Sequence, residues 1–441
     1  MGNLPALFSI STCALLLAGC VQMEWRGGMI PHIGLKERTP APLPSKISDQ
    51  QDWRPGTFEW PQFRGPQRDG HAPDQATRIN WETAPALVWE DSCGAGHSSL
   101  ITSGSLLYTL EQIGDKETLT ARHLKDGRMA WTYGEHTRWD DMMSGPGPRA
   151  TPTLSGDNLI VLFSNGTLVN LDPKTGKKHW ETSTLPQSHH FPEWGISGSP
   201  LVWKDQVILS LGGKAGAAQA YDLKTGRLIW RGEPSERGTY LSPEILPLLG
   251  EGHLIVAVEG SILGLDPETG KTRWKYPWKI FLNNAQIAQP LPLSEDTFLL
   301  SAGYGKGAEC LQIRKDGNGY TLSTLWKSKH LKTKFSNAVL HHGSIYGYSE
   351  NQLVCLDAKT GELNWRGKKY GYGRILLAGD KLVLLGNTGE LAVVEATPGS
   401  FKEIYSGQLL SNARCWNGPA LVNGYLFARN GQQIACFDWA K

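Results

Sequence analysis

His189-His190, followed by Glu193, comes nearest to a metal site in this sequence. Imidazole and carboxylate ligands together hold divalent cations, but a closed site takes four ligands and a catalytic one takes three. No convincing third ligand accompanies the pair, which reads as a solvated loop. Two glycine-rich stretches, Gly212-Gly213-Lys214-Ala215-Gly216 and Gly303-Tyr304-Gly305-Lys306-Gly307, suggest a phosphate cradle. Neither has the spacing or the Ser/Thr of a P-loop, and hairpin turns account for both. Trp131, Trp180, Trp230, Trp274, Trp326 and Trp365 offer stacking surfaces, and Asp172, Asp222, Asp266, Asp357 and Asp438 offer carboxylates. Each tryptophan closes a strand and each aspartate opens a turn, so both sets read as structural.

A different pattern emerges when segments equivalent to Ser199-Pro200-Leu201-Val202 are aligned on the Pro200 slot. Three residues before that slot stand His97, Arg149, Ser197, Tyr240, Ile287, Phe335, Tyr372 and Trp416. One residue before it stand Ser99, Thr151, Ser199, Ser242, Gln289, Asn337, Arg374 and Gly418. A repeat under packing constraint alone would carry similar apolar residues at equivalent places. These positions instead mix aromatics, hydroxyls, amides and arginines, as a polar–aromatic binding pocket does. His97, Arg149, Tyr240, Gln289, Phe335, Asn337, Tyr372, Arg374 and Trp416 are therefore the candidate binding residues. Trp139 and Trp194, in loops, are candidate contacts for a protein partner. The competing reading is that both rings simply solvate a funnel.

The elements that position these residues come from a repeat. Leu171-Asp172-Pro173-Lys174-Thr175-Gly176-Lys177-Lys178-His179-Trp180 recurs from Tyr221 to Trp230, Leu265 to Trp274 and Leu356 to Trp365. Worn copies lead to Trp131, Trp326 and Tyr405. Asp at the start and Gly at the end of Asp-x-x-Thr-Gly specify a tight hairpin turn between strands. The closing aromatics recur every 39 to 52 residues, with four strand signals per repeat. That period predicts an all-β, eight-bladed β-propeller of four-stranded antiparallel blades. Pro85–Trp89 looks like an outer strand with no blade before it, whereas residues 418–438 supply only three strands. The N-terminal strand is therefore expected to complete the last blade, which removes free edges.

Composition agrees: 51 Gly, 26 Pro and 17 Trp suit short strands and tight turns. With 44 basic and 42 acidic residues the chain is almost neutral and has no long basic run, so no nucleic-acid partner is expected. Leu4–Leu17 is apolar but too short to span a bilayer, and it ends at Leu17-Ala18-Gly19-Cys20. This resembles a bacterial lipobox, although no Lys or Arg precedes the apolar run. Residues 1–19 thus read as a lipoprotein signal peptide and Cys20 as the lipidated residue. Residues 20–58, with Pro40, Pro42, Pro44 and Pro55, read as a tether, and residues 59–441 as the propeller. Val21 after Cys20 gives no inner-membrane retention signal, which places an outer-membrane lipoprotein facing the periplasm. Cys310, Cys355 and Cys436 each occupy the same slot before a turn and read as buried strand residues. Cys93 and Cys415 are placed about a blade width apart, which argues against a disulfide.

The decapeptide repeats resemble those of the pyrroloquinoline-quinone-like β-propellers, over residues 60–439. That superfamily includes quinoprotein alcohol dehydrogenases and the outer-membrane assembly lipoprotein BamB. The lipobox, the repeat number and the modest length look most similar to the non-catalytic, BamB-like branch. The resemblance implies a monomeric scaffold without cofactor that binds protein partners of the cell envelope. The dehydrogenase branch implies a quinone over Ca²⁺, a catalytic Asp and typically adjacent cysteines. No two cysteines are adjacent here, and Glu259, Asn284 and Asp296 are only scattered calcium candidates. A third alternative is a small-molecule or glycan sensor that uses the channel mouth.

Overall fold

Asp172 shows why the repeat makes a turn. Its Oδ1 accepts from the backbone N–H groups of Lys174 (3.0 Å) and Thr175 (2.8 Å) and from Thr175 Oγ1 (2.7 Å). Gly176 N–H then donates to Asp172 O at 2.9 Å. Gly176 has φ of +70°, which glycine adopts without strain, and the paired strands bulge at Asn170/Leu171. The computed structural model describes residues 57–440 apart from 73–78, 187–190, 282–284 and 318, together with Trp53 and the strands Val21–Glu24, His32–Leu35 and Lys46–Ile47. Cys20, His189, His190 and Asn284 lie outside the described residues.

Eight antiparallel sheets of four propeller strands form the ring, and two of them carry one extra strand each. Blade 3 is typical: Leu201–Trp203, Gln206–Ser210, Ala218–Asp222 and Leu228–Arg231 run in order from channel to rim. The middle two strands of the blades are buried on both faces, between neighbouring blades, so they read as continuous apolar runs such as Leu159, Ile160, Val161 and Leu162. Blade 8 joins the chain ends. Ala86–Ser92 pairs antiparallel with Gln433–Asp438, outside Tyr425–Arg429 and Ala420–Val422. The two termini thus share a sheet, as the sequence predicts.

Neighbouring blades are locked at the rim by the repeat itself. Trp180 closes blade 2 and its Nε1–H donates to Leu223 O in the turn of blade 3 at 2.9 Å. The ring lies over Gly226, where an added Cβ would sit 2.5 Å from the indole. Trp131 over Gly176, Trp230 over Gly270 and Trp326 over Gly361 repeat this packing, and Trp89 over Gly127 carries it across the closure. The glycine is therefore demanded twice, by backbone conformation and by the tryptophan above it. Cys310, Cys355 and Cys436 are buried opposite Trp326, Trp365 and Trp89.

Three features depart from the repeat. Blade 5 has no Asp-x-x-Thr-Gly turn, and its outer hairpin lengthens to Gly307–Asp316 and Gly319–Ser328. The tip leans on blade 4, where Tyr320 OH donates to Glu251 at 2.6 Å. Trp274, which has no glycine turn to cover, donates to His253 Nδ1 at 3.1 Å within its own blade. Within residues 20–58, read as a tether, Lys46–Ile47 pairs with the outer strand of blade 8, and Trp53 stacks on Tyr425 at 4.3 Å. Residues 60–72, the lead-in to blade 1, run into the channel.

Candidate functional site

The lead-in crosses the channel and closes it. Trp60 bridges to Thr102 of blade 1, and Leu154 N–H of blade 2 donates to Pro61 O at 2.7 Å. Arg68 donates to Pro200 O (3.1 Å) and Pro243 O (3.1 Å), and Arg64 donates to Ala338 O (3.0 Å). His71–Ala72 then runs parallel to Leu377 and Ala378 as an extra innermost strand of blade 7. Two arginines are thus spent on inner-strand carbonyls that face the axis, and Pro200 O also accepts from Thr153 Oγ1 at 2.7 Å. Burial lowers the Arg68 pKa to about 10, so it stays charged at neutral pH. Glu244 is buried nearby and its carboxyl is raised to about 7 by desolvation, against the pull of Arg64 and Arg68.

Above this floor the residue before each Pro200-equivalent slot forms a belt. Ser99 N–H donates to Thr151 Oγ1 (3.0 Å), Thr151 N–H to Ser199 Oγ (3.0 Å), and Ser199 N–H to Ser242 Oγ (3.0 Å). Ser242 N–H donates to Gln289 Oε1 (3.2 Å), Gln289 N–H to Asn337 Oδ1 (2.7 Å), and Gly418 N–H to Ser99 Oγ (2.8 Å). Six blades thus offer a side-chain oxygen to the backbone of the blade before them, and Gly418 of blade 8 has none to offer. Blade 7 breaks the pattern because Arg374 has no acceptor. Its Nε–H donates instead to Trp416 O at 2.6 Å.

A cavity of about 300 Å³ opens above the floor at this mouth. His97, Arg149, Tyr240, Phe335, Asn337, Arg374 and Trp416 line it, with Phe63 of the lead-in at its base. Phe335 stacks on Trp416 with centroids 4.8 Å apart, and Trp194 stacks on Tyr240 at 5.1 Å on another part of the wall. Tyr372 stands behind Phe335, edge-on at 5.6 Å. Gln289 does not face the cavity, because its Nε2 is spent on Ser242 O (2.9 Å) and Glu244 Oε2 (3.0 Å). Trp139 is half-buried in loop packing, 5.7 Å from Phe191 and against Gly195. The sequence missed Lys334, Tyr304, Met143 and Phe63, all of which line the cavity. Lys334 immediately precedes Phe335, so extending the aligned slots one residue upstream would have found it.

The electrostatics are one-sided. No Asp or Glu lines the cavity among the described residues. Arg149 is held by Asp141 at 2.6 Å in its own loop, which neutralises it. Arg374 meets no carboxylate, and burial lowers its pKa only to about 10, leaving a full charge at neutral pH. Lys334 lies 4.7 Å over Tyr304 and 4.9 Å over Tyr372, held by ring faces rather than by an acid. His97 Nε2 donates to Ser144 O at 2.8 Å, and burial together with Arg149 pushes its pKa down to about 3. The imidazole is therefore neutral, with Nδ1 lacking a partner.

Of the calcium candidates, Glu259 and Asp296 lie among the described residues, and each is engaged elsewhere. Asp296 accepts from Ser294 Oγ (2.8 Å) and Gln312 Nε2 (2.7 Å) at a strand turn, and Glu259 pairs with Arg237 at 3.6 Å. Among the described residues no three His, Cys, Asp or Glu gather at metal-binding distance. The donors present among the described residues do not fit a quinone-supporting calcium. Cys93 and Cys415 are free, their thiols donating to Asn430 O (3.4 Å) and Arg429 O (3.2 Å). Burial raises both to about 12, which makes them poor nucleophiles.

Repeat, ring and channel define a pyrroloquinoline-quinone-like β-propeller with a closed channel and an aromatic, cationic mouth. The family model described as outer membrane protein assembly factor BamB matches residues 72–210 and 134–367, and the chain belongs to that family. It is similar to the outer membrane protein assembly factor BamB of Burkholderia pseudomallei, 23% identical over 243 residues. That match covers 54% of this chain and 59% of the relative. A shorter stretch of 82 residues is 39% identical to the quinohemoprotein alcohol dehydrogenase ADH IIB of Pseudomonas putida, covering 18% of this chain and 11% of that enzyme. The crystal structure of the quinohemoprotein alcohol dehydrogenase from Comamonas testosteroni shares the fold, with a TM-score of 0.58 at 15% identity over 86% of this chain and 80% of that one. Relatives of both kinds are therefore similarly close, and the shared part is the ring rather than its site.

Proposed function

We propose that this propeller is a non-catalytic scaffold of the cell envelope with a BamB-like role in outer-membrane protein assembly. In this reading Cys20 carries the lipid that holds it on the periplasmic face of the outer membrane. Membership of the BamB family supports the class. The observation that carries the choice against a dehydrogenase is the acid-free cavity lining. A quinone enzyme of this fold needs carboxylate oxygens for calcium and a carboxylate base, and the mouth offers neither. What remains is a rigid ring presenting aromatic and cationic groups beside exposed loops, which suits recognition of another polypeptide.

The test is a pull-down with the full-length lipoprotein from detergent-solubilised envelope. Recovery of outer-membrane assembly subunits in stoichiometric amounts is expected. Dye reduction that depends on added pyrroloquinoline quinone and Ca²⁺ would overturn the reading.

A further inference from the structure

The mouth is asymmetric in charge as well as in shape. Arg374 interrupts the belt where seven other blades carry a small or amide residue or glycine. Glu193 and Glu350 stand outside the lining near Tyr240 and Tyr304, and the two acids closest to the cationic groups are engaged. Asp141 is paired with Arg149, and Glu244 sits beneath Gln289 beside Arg64 and Arg68. Arg374 and Lys334 are left without a carboxylate, at a cavity walled by Trp194, Phe335 and Trp416. A half-buried guanidinium with no counter-ion is costly to the fold alone and is repaid when an anion arrives.

The surrounding face tells which kind of anion. Met142 and Met143 are 76% and 67% exposed in the loop between blades 1 and 2, and Phe281 is 91% exposed in the loop between blades 4 and 5. The chain topology puts both loops on the face that carries the mouth, since each connects an outer strand to the next inner strand. A small free anion would make no use of these rim residues. A polypeptide lying across the mouth would cover them while dropping one side chain into the hole, which is too small for a folded element. Flexible methionines also suit a polypeptide contact.

We infer that the channel mouth is a carboxylate site for a partner protein: an Asp or Glu side chain enters the cavity to Arg374, and flanking apolar residues cover Trp194, Trp416 and the Met142-Met143 rim. This rests on the scaffold reading and adds to it the chemistry that selects the partner. Arg374 supplies the planar fork a carboxylate matches, with Lys334 as a second charge at the wall.

The test uses the full chain and capped pentapeptides with a central glutamate or glutamine between leucines, titrated by calorimetry. The glutamate peptide is expected to bind at least about tenfold tighter than the glutamine peptide, a difference typical of one charged hydrogen-bonded contact. The preference should shrink in about 0.5 M salt. Arg374→Gln should abolish it without lowering the thermal midpoint. Equal binding of the two peptides by the unaltered protein overturns the inference without recourse to any variant. So does benzoate or inorganic phosphate binding as tightly as the glutamate peptide, which would make this a small-anion site. The envelope pull-down separates the two levels. Partner recovery by the unaltered protein but not by Arg374→Gln supports the site. Equal recovery by both leaves the scaffold standing and sinks the carboxylate site, whereas selective peptide binding without any recovered partner supports the site and sinks the scaffold.

Discussion

The outer rim and the inner rim of the ring both hold each blade to the next, and they do so in opposite ways. At the rim one device recurs: a tryptophan from one blade covers the turn glycine of the next, as with Trp131 on Gly176 and Trp180 on Gly226. At the axis the link is a backbone N–H donating to whatever short acceptor the next blade offers, be it Thr151, Ser199 or Asn337. The rim tolerates little variation because a large ring must fit a fixed hollow. The axis tolerates more, since any hydroxyl or amide oxygen will serve. Variation at the axis therefore has two sources: Gly418 and Arg374 both depart from the acceptor rule, and of the two only Arg374 brings a charge to the cavity.

Removing a rim lock should have the largest effect. Trp89 is 1% exposed, donates to Leu124 O at 2.7 Å and closes the ring through the N-terminal strand. Trp89→Ala is expected to cost about 3–5 kcal/mol, read from the denaturant midpoint. A loss below about 1 kcal/mol would show that the shared sheet is not what holds the chain ends together.

A belt link comes next. Ser199→Ala strips the acceptor from the buried Thr151 N–H and should cost about 1–3 kcal/mol. Ser199→Thr keeps an oxygen and should recover most of that loss. Should alanine and threonine be equivalent here, the belt is incidental and the inner slots are free to vary for binding alone.

These two comparisons show which parts of the molecule the sequence makes legible. The rim lock is legible because Asp-x-x-Thr-Gly and Trp recur at fixed spacing and have one physical solution. The rings of inner-strand residues are legible as positions, and most of them do surround one cavity. Their division of labour is not, because Gln289 and Asn337 look alike in sequence while only Asn337 reaches the cavity. Arg64 and Arg68 are also hidden. Arginine usually marks the surface, and nothing local tells that Trp60–Ala72 turns into the channel to meet carbonyls of distant blades. The lengthened hairpin of blade 5 is visible only as a worn repeat, and nothing local tells that its tip carries Tyr320 to Glu251.

The floor offers a pH test. Glu244 has a folded-state pKa of about 7, above the unfolded carboxyl range. Between the two values the native chain holds a proton that the unfolded chain has released, so this group's contribution falls as pH rises through that window. His97 and His253, lowered to about 3 and 4, act oppositely: their contribution is lost as pH falls below the unfolded imidazole value. Total stability mixes these slopes, so the useful quantity is the difference between the unaltered protein and Glu244→Gln. The unaltered protein should lose ground by roughly 2 kcal/mol between pH 5 and pH 8, the pull of the arginines being already contained in the folded pKa. A difference that stays flat, or that grows in favour of the unaltered protein, would mean that Glu244 is ionised throughout and serves as the counter-ion of Arg64 and Arg68.

The smallest expected effect is the most diagnostic of the cavity. Arg374→Gln gives up the 2.6 Å bond to Trp416 O, a charged contact worth about 1.5–3 kcal/mol. It also relieves the desolvation of a guanidinium that has no acid beside it and lies close to Arg64, a cost of similar size. The amide can in addition accept a backbone N–H, as Gln289 does in blade 5, restoring the rule that six other blades follow. The net change in stability, read from the thermal midpoint, should lie within about 0.5 kcal/mol of zero. A residue that holds the fold would not be so cheaply exchanged. A loss of about 2 kcal/mol or more would instead make Arg374 another inter-blade tie, and the break in the belt would then be a second way of stitching the ring.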